Sequence, residues 1–167
     1  MHIPLTHRTR HRTLRALLAA ALVAVAGCTP KDQVAADLLS LNAAGKAATQ
    51  NTDLQKSMGR VQQAQTNQEK ATILRESAAG LAKVQTSLLR IDIRSPEVRD
   101  IQARLSSAFG KVGLAANDAA SAFEKSDSAA LEQAGKAMQE SQGEIMALGQ
   151  DVGRLAKAHK VDLNRQP

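Results

Sequence analysis

The sequence predicts an all-α protein, an up-and-down antiparallel helical bundle. Three observations lead there. From Cys28 onward Ala is the commonest residue, and Gln, Glu, Lys and Leu supply much of the remainder; all are strong helix formers. No segment alternates apolar and polar side chains for long enough to make a strand. Apolar residues recur at helical spacing in stretches separated by short polar breaks, and short breaks make successive helices antiparallel neighbours. The count expected is four, with a spectrin-like arrangement of three long helices as the alternative.

The first helix is signalled by Thr29-Pro30-Lys31-Asp32. Thr29 can cap, proline suits the first helical position because its missing N–H would be unpaired there anyway, and Asp32 faces the positive end of the helix. Val34, Leu38 and Leu41 form its apolar stripe, which fades over 48–53, where Asn51, Thr52 and Asp53 favour a break. Leu54, Met58 and Val61 restart the stripe. It thins through 62–70 and resumes at Leu74, Ala78, Leu81, Val84, Leu88 and Ile91. The pattern leaves 54–91 open between one long helix and two pieces broken near Asn67.

The clearest boundary is 92–97, where Pro96 disfavours helix at Ser95 and opens the next one, with Ser95 as its natural cap. That helix carries Val98, Ile101, Leu105, Ala108, Val112, Ala115, Ala119 and Phe123. Ser126, Asp127 and Ser128 are cap candidates for the last helix, which carries Leu131, Met138, Ile145, Leu148, Val152 and Leu155. The domain therefore runs over 28–160, and 161–167 reads as a polar C-terminal tail.

The core is expected to be thin. Val, Ile, Leu, Met and Phe together make up only about a fifth of the chain from Cys28 on, so Ala must fill many inward positions. Gly110 and Gly113 in one helix, and Gly135, Gly143, Gly149 and Gly153 in the next, either mark close contacts or are tolerated at about 1 kcal/mol each.

The formal charge of +6 is unevenly placed. The stretch 1–27 holds four Arg and no acid, and the remainder carries 18 Lys and Arg against 16 Asp and Glu. A near-neutral domain without Trp or Tyr lacks both the basic face and the stacking platforms of a nucleic-acid-binding protein. The leader explains the excess. Residues 1–15 are basic, and residues 16–26, ALLAAALVAVA, are an apolar run of 11. That is about half of what a membrane-spanning helix needs, but it fits a secretory signal peptide, here 1–27.

Val25-Ala26-Gly27-Cys28 then resembles the lipobox of bacterial lipoprotein signal peptides. The resemblance ends at Cys28, and four features coincide in it: a basic start, a short apolar core, small residues before the cut, and a cysteine at the right depth. It implies cleavage between Gly27 and Cys28, lipidation of the Cys28 sulfur and acylation of the new amino terminus, palmitate being the expected kind of chain. Several acyl chains give stable anchoring where one gives only reversible binding. Thr29, where an Asp could stand, resembles the pattern sent to the outer membrane in Gram-negative bacteria, which implies a bundle facing the periplasm.

No catalytic constellation is expected. Three of the four His lie in the leader and only His159 beyond it, so neither a His pair for zinc nor a Ser-His-Asp set is available. Cys28, the single cysteine, is committed to lipid. Glu140 and Glu144 lie one turn apart with Asp151 two turns further, an acid pair that could move a proton or bind a cation but is better read as a solvated face. Arg90, Arg94, Arg99 and Arg104 are interleaved with Asp92, Glu97 and Asp100 as another mixed solvated face, the minority reading being an anionic partner or headgroup site. Asp100–Arg104 and Glu132–Lys136 are expected as supporting pairs one turn apart.

The reading that follows has no enzyme, metal, cofactor or nucleic acid in it. It is an envelope lipoprotein held to the membrane by its lipid, working as a helical adaptor, structural or accessory protein with a protein partner. Oligomeric state is left open. The alternatives are a periplasmic inhibitor or immunity lipoprotein, and a bundle that carries a small apolar ligand between its helices.

Overall fold

The computed structural model describes residues 30–51 and 54–164. Five helices follow one another: α1 (Pro30–Asn51), α2 (Leu54–Gln63), α3 (Asn67–Leu89), α4 (Pro96–Lys125) and α5 (Ser128–Ala158). The fold is all-α, as expected, and the helices pack as a bundle. The segment 54–91 is two helices, not one. Its break is built by a reciprocal cap: the Thr66 hydroxyl accepts from the Glu69 N–H at 3.1 Å, and Glu69 accepts from the N–H groups of Thr66 and Gln65 at 3.0 Å each. Thr-x-x-Glu is the capping-box pattern, and it stands inside the polar stretch where the apolar stripe thins.

α4 is the central element. It packs along α3 on one side and along α5 on the other, and α1 touches all three. The partners of α3 change along its length. Val34, Leu38 and Leu41 of α1 share a core with Leu81, Val84 and Leu88 in its C-terminal half. Val61 of α2 joins Ala71 and Leu74 in its N-terminal half, with Ala119, Ala120 and Ala134 completing that cluster. The small apolar content is reflected directly: alanines line the second cluster, and Phe123 and Leu131 close it from the edge.

The stripes of α1, α3 and α4 are largely buried, as their spacing requires. Two expectations fail. Met58, placed on the stripe of α2, is 46% exposed, because α2 is a ten-residue helix that packs chiefly along α3 and is only lightly covered elsewhere. In α5, only Leu148 of the six stripe residues is buried; the others are half-covered.

Caps end the long helices sharply. Ser126 takes a left-handed conformation (φ 52°), so the Asp127 N–H reaches the Ala122 carbonyl at 2.9 Å, and Asp127 then caps α5 by accepting from the Ala130 N–H at 3.0 Å. Lys160 (φ 56°) repeats the manoeuvre, with the Val161 N–H on the Ala156 carbonyl at 2.8 Å. Residues 161–164, the described part of what the sequence reads as a polar tail, turn back onto the bundle. Val161 and Leu163 pack against the main core, and the Leu163 carbonyl accepts from Asn42 Nδ2 at 2.8 Å and Lys46 Nζ at 3.0 Å.

Candidate functional site

The most heavily built part of the molecule is the end where α1 begins, α3 passes into α4 and α5 finishes. Its centre is Asp37, a carboxylate 3% exposed. One oxygen, Oδ2, accepts from the Ser95 N–H at 2.7 Å, the Ser95 hydroxyl at 2.7 Å and the Arg94 N–H at 3.0 Å; the other, Oδ1, accepts from Gln33 Nε2 at 2.8 Å. Burial pushes the pKa of Asp37 up. The donors outweigh it, Ser95 through its backbone and hydroxyl first, then Gln33 and Arg94, and the group sits below the ordinary carboxylate value.

The entry into α4 is thus held in trans, through the backbone of Arg94 and Ser95. Ser95 is the N-cap residue, as its place before Pro96 predicts, but its hydroxyl makes no cap bond to its own helix and is spent on Asp37. An anion from α1 thus stands next to the positive end of α4 and fixes its N-cap residue. The carbonyls of the connection are held from the other side. Gln102 Nε2, on a buried side chain, donates to the carbonyls of Leu88 at 2.7 Å and Ile91 at 2.9 Å. The Arg99 guanidinium donates to the Ile93 carbonyl at 2.9 and 3.2 Å and to that of Arg94 at 3.3 Å. Residues 88–95 are therefore a fixed strap, engaged through both donors and acceptors.

Asp37 and Gln102 were not singled out from sequence, though a signal was present. Asp37 falls on the stripe Val34–Leu38–Leu41, and Gln102 on Val98–Ile101–Leu105. A polar side chain inside an apolar stripe must be paired if it is buried.

The residues that were singled out are scattered. Cys28 and Gly27 lie outside the described residues. Glu140 is exposed on its own turn. Glu144 takes Lys111 at 2.8 Å, and Asp151 pairs with Arg154 and, at 3.6 Å, with Arg104. Among the described residues no group of three His, Cys, Asp or Glu could hold a metal ion. Both expected turn-to-turn pairs form, Asp100–Arg104 at 3.4 Å and Glu132–Lys136 at 2.6 Å. The four-arginine series divides: Arg99 belongs to the strap, Arg104 bridges to α5, and Arg90 and Arg94 are exposed beside Asp92. His159 ends α5 as its C-cap.

The glycines also divide. A methyl on Gly113 would make ordinary contact with the Ala78 carbonyl and Leu81 at 3.6 Å, and one on Gly110 would press on the Gln85 amide at 2.7 Å. Gly135, Gly143, Gly149 and Gly153 face open space. Met146, 69% exposed, lies on the same open side of α5, together with exposed Gln139, Gln142 and Gln150. Among the described residues no helix is long and apolar enough to cross a membrane.

Residues 35–160 match the model of a protein family described as Uncharacterised lipoprotein PM1805. No curated protein and no solved structure matches the chain.

Proposed function

The chain belongs to the lipoprotein family PM1805, and from that premise we propose that it is a non-enzymatic protein of the bacterial envelope, anchored through Cys28 and acting by contact. Two independent features support the anchor, the lipobox and the family. The family match begins at residue 35, beyond Cys28, so it owes nothing to the lipobox in the leader. Thr29 after the cysteine favours the outer membrane, with the bundle in the periplasm. The replacement Cys28→Ser should leave the protein unprocessed and free of acyl chains; a processed, membrane-bound Cys28→Ser protein would sink the anchor.

The observation that supports action by contact is the outer flank of α5. This helix of 31 residues is packed mainly along α4, and the rest of its surface offers Met146 and four glycines with nothing near them. A partner helix or sheet can approach the backbone closely at these glycines, and each of them costs helix stability without an intramolecular return. On this reading the protein is an adaptor, structural or accessory subunit. A photo-crosslinking residue at Met146, used in the native envelope, should join a discrete protein, and the same residue at Leu114, exposed on α4, should not. Equal capture from both positions, or none from Met146, would overturn the assignment of α5 as the contact face.

A further inference from the structure

We infer that the Asp37 end of the bundle is seated on the membrane, with Arg90, Arg94 and Lys160 against anionic phospholipid headgroups and Leu89 entering the interface. The inference rests on the lipid anchor at Cys28 and adds to it the orientation of the domain. The reach of the chain decides which end is near. Only Thr29 separates Cys28 from Pro30, the first residue of α1, and two extended residues span about 7 Å. About 10 Å of helix leads from Pro30 to Asp37, which is bonded to Ser95. The anchor therefore lies within about 20 Å of the strap. The far end, at Ser126, is the full length of α4 away, about 45 Å for its 30 residues.

The surface at the near end suits that position. Leu89, the last residue of α3, is 60% exposed. At the same end Arg90, Arg94, Lys157 and Lys160 are exposed against Asp92, which pairs with Arg94, and Asp162, with Arg99 and Glu97, and Arg104 and Asp100, offsetting one another. The exposed surface there has an excess of two positive charges, with the Asp37 carboxylate buried behind it. The far end has no such excess. Glu69, Glu124 and Asp127 stand there against Lys70, Arg75 and Lys125; Arg75 is paired with Glu124, and Lys70 lies over the Phe123 ring at 5.4 Å. Two net charges would not recruit a protein by themselves, but the acyl chains already hold the near end close to the surface, where screening acts over about 8 Å at physiological salt. There an uneven distribution of charge selects which end faces the lipid. The rigid strap transmits the choice to the whole bundle, since Asp37, Gln102 and Arg99 fix 88–95 to both α1 and α4.

The test uses the mature acylated chain in vesicles of phosphatidylethanolamine and phosphatidylglycerol at three to one. Cys28 is blocked by its lipid, so Leu89→Cys and Ala129→Cys each give one labelling site for an environment-sensitive fluorophore. Both positions are exposed, and circular dichroism confirms that each variant is folded. A nitroxide lipid labelled just below the headgroup should quench the Leu89 probe at least twofold and leave the Ala129 probe unchanged. Exchanging phosphatidylglycerol for phosphatidylcholine, or introducing Arg90→Glu with Arg94→Glu, should reduce that quenching. Equal quenching at both positions would mean that the bundle lies flat, and none at either that it stands off the surface; each overturns the orientation. Quenching at Leu89 that ignores lipid charge overturns the headgroup contact. Loss of the acyl mass or of vesicle flotation would instead overturn the anchor, a separate failure read before any fluorescence is measured.

Discussion

α4 and α5 are nearly equal in length and similar in composition, yet the first buries thirteen of its positions and the second four. Both are Ala-rich and both carry a stripe of large apolar residues at helical spacing. What differs is the number of neighbours. α4 lies between α3 and α5 and also meets α1, while α5 has α4 along one face and only a small contact with α1. Burial here is a property of position in the bundle, and a stripe sees only the possibility of it. α4 is built to be surrounded, with small residues where two helices close on it. α5 is left with a flank that the other described helices do not cover.

The largest test of that difference is to enlarge an alanine. Ala120 is fully buried between the helices of the second cluster, and a leucine there has no room. Ala120→Leu should cost about 3 kcal/mol, because overpacking a close-packed interface forces side chains and backbone apart. Ala147→Leu on the exposed face of α5 should stay within about 0.5 kcal/mol of the parent. Urea unfolding followed by circular dichroism measures both. Equal costs would mean that α5 is as enclosed as α4.

The two helices also start differently, and that sets the second test. α5 is capped locally by Asp127, whereas the N-cap residue of α4 is held from another helix by Asp37. Asp127→Ala should cost about 1 kcal/mol, the ordinary loss of an N-cap. Asp37→Ala should cost more, about 2 kcal/mol, because donors on Ser95 and Arg94 lose their acceptor. The pH dependence carries a sign. The pKa of Asp37 is depressed on folding, so its contribution is complete above the ordinary value of 3.8 and is lost as pH falls through the lower folded value. The parent should lose stability in that acid window and Asp37→Asn should lose less. An identical acid limb for both would show that the carboxylate is not the group responsible.

The fold class was legible because helix propensity, helical periodicity and caps agree along the whole chain. Pro96, Ser95 and Asp127 mark boundaries that the structure keeps. The break at 64–66 was half visible: the stripe thinned there, but Thr66-x-x-Glu69 is what starts the next helix. The Asp37 strap was missed because a single acid one turn from Val34 looks like any surface charge until the partner at Ser95, 58 residues away, is known. The uneven burial of α5 was out of reach for the same reason, since periodicity describes one helix and enclosure depends on several.

The glycines give a smaller and opposite effect. In α5 a methyl at Gly143 or Gly153 meets open space, so Gly143→Ala and Gly153→Ala should each stabilise the bundle by about 0.5–1 kcal/mol through helix propensity and the unfolded chain. Gly110→Ala in α4 should give less, because the Gln85 amide has to move aside. If the α5 flank is a contact face, the same two stabilising changes should weaken crosslinking from Met146. Stabilised variants with undiminished crosslinking would separate the glycines from the contact.

The smallest effect concerns what joins the two helices outside their core. Lys111 bridges to Glu144 at 2.8 Å and Arg104 to Asp151 at 3.6 Å, both across the α4–α5 seam. The first pair is about half exposed on both sides, so water and salt screen it and ordering two long side chains offsets part of the attraction. A double-mutant cycle on Lys111→Ala and Glu144→Ala should return a coupling of about 0.5 kcal/mol or less, vanishing in about 1 M salt. The apolar seam should hold α5 in place without it. A coupling well above about 1 kcal/mol that survives salt would mean that α5 depends on its ion pairs where α4 depends on packing, and the contrast between the two helices would then be chemical as well as positional.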